Sequence, residues 1–228
     1  MTNPLATAEI RDAIYAINRN KASGEDGITS DILQRAYDLL PKSTTALYNG
    51  CLRTACFPKI CKRAKLIPIV KPGKETCEDM TKYRPISLLN TAAKVLENVL
   101  ISRIMHHVYF NNLMNKTQHG FTPQPSTVDA VMALKDYVQS SIDDGQNVAV
   151  ISLDVKGAFD AAWWPGILAF LRQLRCPGNL YNLCGSYFKD MTAFLTMNNG
   201  MVQRNVSNGD LRAQHLARDF GTFYTTPY

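Results

Sequence analysis

Residues 147–155 read Asn147-Val148-Ala149-Val150-Ile151-Ser152-Leu153-Asp154-Val155, and Lys156-Gly157-Ala158-Phe159-Asp160 follow. The run is apolar nearly throughout and rich in β-branched residues. That pattern predicts a strand in the centre of a sheet covered on both faces. Asp154 falls at the C-terminal end of the predicted strand, and Gly157 comes three positions later. A carboxylate at the end of a strand, in a crevice, is a common way to hold a hard cation. The glycine lets a phosphate approach the backbone closely. Many α/β domains carry a strand that ends in aspartate, so spacing alone favours a purely structural Asp154.

Working outward, the period changes from strand to helix on both sides. Upstream, Ser126 is placed to start a helix that ends near Gly145. Before it, Asn90 is placed to cap a long helix to about Tyr109, with Val95, Leu96, Val99, Leu100 and Ile104 on its apolar face. Arg63 to Val70 and Arg84 to Leu89 read as two strands around a polar Pro/Gly loop, which makes a hairpin. Helices are predicted over 7–19, after Ser30 as a cap, and over 42–55. The first has Ile10, Ile14 and Ile17 at helical spacing, and the second has Ile32, Leu33, Leu39 and Leu40 as its apolar positions. Downstream, helices are predicted over 164–174 and 179–189. A hairpin follows from Thr192 to Val206, with Asn198-Asn199-Gly200 as its turn.

The chain of 228 residues is 46% hydrophobic and 19% charged, the composition of a protein with a substantial core. No apolar run reaches the roughly 18 residues of a membrane span, so a membrane protein is not expected. The first twenty residues carry polar groups throughout, without the apolar core of a signal peptide. The setting expected from this is intracellular, nucleus or cytoplasm.

The net charge of +6 matters less than its distribution. Lys59, Lys62, Arg63, Lys65, Lys71 and Lys74 form a run with no acidic residue between them. Such a cluster suits phosphate contact, and it equally suits a solvated surface hairpin. The cysteines Cys51, Cys56, Cys61, Cys77, Cys176 and Cys184 form no C-x-x-C pair, so free thiols are expected. His106 and His107 are adjacent on a helix, point in different directions and do not read as ligands.

Five segments stand in a particular order. They are NKASGEDGI (20–28), AKLIPIVKPGK (64–74), YRPISLLN (83–90), QHGFTPQPSTVDA (118–130) and VISLDVKGAFD (150–160). Together they resemble the reverse transcriptases of non-LTR (LINE-type) retrotransposons. The resemblance runs from about residue 8 to 207. It implies an α/β (α+β) fold: the fingers and an incomplete palm of a right-hand polymerase. Residues 1–115 would be fingers, 116–207 the first part of the palm, and 208–228 an unrelated tail. It implies a Mg²⁺-dependent nucleotidyltransferase working on an RNA template, a DNA primer and deoxynucleoside triphosphates.

The resemblance also assigns roles. Asp154 would bind the metal ions, with the carbonyl of Val155 in support. The amides of Gly157 and Ala158 would face the triphosphate, and Phe159 would pack under the sugar. Lys71 and Arg84 would hold the outer phosphates. Gln118 and Gly120 would support the primer and template. Other readings stand beside these: Phe159 as a core aromatic, Gln118 and Asp129 as local caps, Trp163 and Trp164 as packing for the helix that follows.

The chain also departs from the family. After Val206-Ser207 the family pattern requires Pro-Gln-Gly, and this chain reads Asn208-Gly209-Asp210-Leu211-Arg212. No Asp-Asp follows Asp154; the pair Asp143-Asp144 precedes it at a predicted helix end. The 228 residues are therefore expected to be inactive by themselves, with an exposed apolar edge where palm strands would pair. A catalytically silent nucleic-acid-binding module is the alternative. Oligomeric state is not legible in the sequence.

Overall fold

The computed structural model describes residues 3–71, 82–115, 117–120, 122, 126–154, 162–197 and 200–207. Val155, Gly157, Ala158, Phe159, Lys74, Cys77 and the 208–228 tail, for which the sequence sets expectations, lie outside the described residues. The fold is mixed α/β: seven α-helices and one four-stranded mixed sheet among the described residues.

Helix α1 (Thr7–Tyr15) buries Ile10 and Ile14, and Ile17 is buried just beyond it. It ends before the predicted residue 19. The carbonyls of Ile14 and Ile17, at its C-terminal end and just past it, accept from Gln34 Nε2 at 3.5 and 3.4 Å. Gln34 lies on α2 (Ser30–Leu39), whose buried face is Ser30, Gln34 and Tyr37. Each is hydrogen-bonded across the contact: Ser30 Oγ donates to the carbonyl of Asn18, and Tyr37 donates to that of Thr7. Two corrections follow. The expected apolar positions Ile32, Leu39 and Leu40 are exposed, and the cap is Thr29, whose hydroxyl accepts from the amide of Ile32. The α1–α2 contact uses satisfied polar groups, which cost little when buried.

Helix α3 (Pro41–Thr54) starts with proline in its first turn, where no amide is needed, and ends at Ala55 in the left-handed region. A 3₁₀ turn (Lys59–Lys62) leads into β1 (Arg63–Val70). Strand β2 (Tyr83–Leu88) returns antiparallel, with Lys65 opposite Leu88 and Val70 opposite Tyr83. Helix α4 (Thr91–Phe110) buries Val95, Leu96, Val99, Leu100 and Ile104, as its spacing predicts. Asn90 precedes it without a side-chain cap; its Nδ2 instead donates to the carbonyl of Ile60.

Helix α5 (Thr127–Asp143) opens on a capping box: Ser126 Oγ accepts from the Asp129 amide, and the Asp129 carboxylate accepts from the Ser126 amide. Those bonds to Ser126 hold the Asp129 carboxyl below its ordinary range. The expected capping role of Asp129 is thus observed. At the other end Gly145 takes a φ of +75°, which suits the residue after a helix.

Helices α6 (Trp164–Gln173) and α7 (Gly178–Phe188) follow, then β3 (Thr192–Met197) and β4 (Gly200–Asn205). Trp164 is buried and stacks on Phe188 at 5.0 Å. Trp163 is exposed, with the edge of its ring against Gly166.

The sheet order is β2-β1-β3-β4. Strand β1 pairs with β3 in parallel over three positions, Arg63 with Thr192 to Lys65 with Phe194. Past that point β1 and β2 form a two-stranded ribbon. Pro68 gives a reason. It sits opposite Pro85, and the ladder bond from the Lys71 amide to the Lys82 carbonyl makes 68–85 a non-bonded pair. The missing proline N–H of position 68 therefore falls on the side where β3 would continue. Two hairpins share a short base and diverge.

The main correction concerns residues 147–154. They form no strand; Ile151 is 80% exposed and Leu153 89%. A strand needs a neighbour to accept its backbone hydrogen bonds. Among the described residues the 147–154 run pairs with no strand of the sheet. The nearby helix α5 likewise leaves Val128, Val131, Tyr137 and Ile142 exposed. Exposed apolar side chains thus include those of α5 and this run. Ile151→Lys with Leu153→Lys is expected to leave unfolding stability within about 0.5 kcal/mol and to reduce self-association in sedimentation. A clear loss of stability would show that the run is packed.

Candidate functional site

The ribbon places Lys71 directly after the last residue of β1. Its amide donates to the carbonyl of Lys82 at 2.9 Å. Register sets Arg84 on β2 opposite Ile69 of β1. The fold thus brings Lys71 and Arg84, thirteen positions apart in sequence, to one end of one ribbon.

The remainder of the basic run is not a uniform patch. Lys62 is buried, and loss of hydration lowers its ammonium pKa. The Arg63 guanidinium donates to Glu25 at 2.9 Å and lies 5.2 Å from the centre of the Phe194 ring. Local sequence shows no acidic partner for the run, but the 20–28 loop supplies one from outside it. Lys59 is exposed.

Beneath the ribbon lies a cavity of about 410 Å³. Ile67, Ile69, Ile86 and Leu88 line one side, Lys21 and Ala22 the loop side, and Lys94, Glu97 and Asn98 the α4 side. Lys94 Nζ donates to the carbonyl of Ala22 at 2.9 Å, and burial lowers its pKa against an opposing pull from Glu97. Sequence reasoning did not single out this cavity. One signal was present: Glu97 interrupts the buried stripe Val95-Leu96-Val99-Leu100, and it is buried itself.

Asp154 stands on the exposed 147–154 run and is not sunk in an apolar interior. Gln118 and Gly120 are joined to each other: Gln118 Nε2 donates to the Gly120 carbonyl at 2.9 Å. His107 Nε2 lies 2.9 Å from the carbonyl of Leu174, and His106 stacks on Phe110. Cys51, Cys56, Cys61, Cys176 and Cys184 are free thiols, and burial pushes Cys61 and Cys176 up to about 11. No cluster of three or more potential metal ligands occurs among the described residues. These residues do not make up a two-metal site. No helix among them is long and apolar enough to cross a membrane.

Residues 69–209 match the family described as reverse transcriptase (RNA-dependent DNA polymerase), and the chain belongs to that family. Its relatives bear out the likeness to non-LTR elements. It is 28% identical over 187 residues to the RNA-directed DNA polymerase from mobile element jockey of Drosophila funebris, covering 82% of this chain and 20% of that protein. It is 29% identical over 196 residues to a probable RNA-directed DNA polymerase from transposon BS of Drosophila melanogaster, covering 86% and 21%. A third relative is a Pol polyprotein from the type-1 retrotransposable element R1 of Bradysia coprophila, 28% identical over 201 residues, covering 88% and 20%. The chain spans about a fifth of the length of these relatives.

Proposed function

We propose that this chain supplies the fingers (1–115) and the first part of the palm (116–207) of an RNA-directed DNA polymerase of a non-LTR retrotransposon, with 208–228 as an unrelated tail. Its partners are an RNA template, a DNA primer and deoxynucleoside triphosphates. The observation that carries the reading is the family match across 69–209, together with a ribbon that gathers Lys71 and Arg84. In this reading those two cations hold the outer phosphates of the incoming nucleotide; the planar fork of arginine suits a phosphate oxygen pair. Gly157 and Ala158 offer amides to the same triphosphate, and Phe159 packs under the sugar. Gln118 and Gly120 support the primer and template. Asp154, with the Val155 carbonyl, is the metal ligand, and Mg²⁺ is the ion.

A pair of Mg²⁺ ions held about 3.5–4 Å apart needs oxygen ligands from more than one carboxylate. Asp154 is the only carboxylate that the motif order assigns to them within this sequence. The 228 residues are therefore expected to extend no primer on an RNA template with Mg²⁺ and deoxynucleotides. Template-dependent extension that Asp154→Ala abolishes would overturn that expectation and show that one carboxylate suffices. RNA binding without extension fits the alternative reading, a silent nucleic-acid-binding module, which the basic ribbon favours. Absence of any RNA binding would defeat both.

A further inference from the structure

Gly24 makes the tightest approach of any described glycine to a neighbouring backbone. A Cβ built there would sit 2.4 Å from Asn90 Oδ1 and 2.6 Å from both the backbone nitrogen and the Cα of Asn90. No real side-chain carbon fits, and because two of the three obstacles are backbone, rotating the Asn90 side chain cannot relieve it. Asn90 itself is buried, with its Nδ2 on the carbonyl of Ile60 and its Oδ1 without a hydrogen-bond partner. Around this contact the 22–28 loop is tied three more times. Lys94 Nζ donates to Ala22, Thr91 Oγ1 donates to Ile28, and Glu25 pairs with Arg63, the first residue of β1.

These ties all fall at the base of the β1–β2 ribbon. Asn90 comes two residues after β2, and Ile60 three before β1. Beyond Lys65 the ribbon has no third strand. It is therefore a lever. At about 3.4 Å per residue, Lys71 lies about 20 Å from the last position paired with β3. A tilt of about 10° at the base would move it by about 3.5 Å, enough to break a hydrogen bond to a phosphate.

We propose that the contact of Gly24 on Asn90 sets the direction in which the β1–β2 ribbon projects, which makes this pair the positioning element for Lys71 and Arg84. The functional sense rests on reading those two as phosphate-binding residues; the mechanical claim does not.

Native-state hydrogen exchange of the 228-residue chain tests it. Gly24→Ala is compared with Gly50→Ala, a helix position with open space around it. In Gly24→Ala the amides of β1 and β2 beyond Lys65 are expected to exchange about tenfold faster or more, with α7 and the C-terminal turns of α4 within about twofold of wild type. Uniform acceleration would mean that Gly24 matters only for overall stability and would overturn the proposal. Acceleration confined to 20–28 would overturn it as well. If Gly24→Ala fails to fold, Thr91→Val removes one tie at nearly constant volume and is expected to accelerate the same ribbon amides about threefold; unchanged rates there would refute the idea. RNA affinity of the wild-type chain is read separately, so loss of the polymerase reading and loss of the lever are distinguishable.

Discussion

Neutralising Lys71 and Arg84 together is expected, on the alternative reading of a nucleic-acid-binding module, to weaken binding of single-stranded RNA about a hundredfold, on the basis of about 1.5 kcal/mol for each charge-assisted contact. It should also flatten the dependence of log affinity on log salt by about 1.4, at about 0.7 for each phosphate contact on a single strand. The measurement is fluorescence anisotropy of a labelled oligoribonucleotide across a salt series. The structure sharpens this beyond a statement about a basic run. Lys62 is buried, and Arg63 is committed to Glu25 and Phe194. Substituting Lys62 or Arg63 should therefore act on stability and leave the salt slope alone. A slope that falls equally for all six basic positions would mean that the cluster acts as a diffuse field, not through the ribbon end.

The ribbon was legible because its signals are local. Arg63–Val70 carries Leu66, Ile67, Ile69 and Val70, and its observed bounds coincide with those read from the residues. Helix α4 was legible for the same reason, since its apolar stripe is long and regular. Helix α2 was misjudged because its buried face is polar. Ser30, Gln34 and Tyr37 recur at helical spacing, but their burial depends on carbonyls of a neighbouring helix that no local pattern reveals. The 147–154 run failed for the converse reason. Its composition is that of a strand, yet strand formation is a property of a pair, and no partner is at hand among the described residues. In the candidate site the motif order pointed to Lys71, Arg84 and Asp154. The Glu25–Arg63 pair and the Gly24–Asn90 contact were invisible because each joins segments far apart in the chain.

Phe57→Ala is expected to cost about 3–5 kcal/mol, a large part of the roughly 5–15 kcal/mol that holds a domain together. Phe57 is 1% exposed, packs edge-on against Tyr187 at 4.9 Å, and its amide donates to Ser186 Oγ at 2.9 Å. It lies between α3 and β1, whereas Tyr187 and Ser186 lie on α7, just before β3. The three parallel pairs between β1 and β3 are too few to hold the two hairpins together unaided. Docking of α7 on Phe57 fixes where β3 begins, so this one side chain joins the helices of the first half to the second hairpin. Thermal unfolding of Phe57→Ala should show a single transition lowered by about 10 °C, at about 2–4 °C for each kcal/mol in a chain of this size. Phe57→Leu, which keeps much of the apolar volume, should recover more than half of the loss. Two separate transitions, with β3 and β4 opening while α1–α4 stay protected, would show instead that the halves are independent units and that the shared sheet base contributes little.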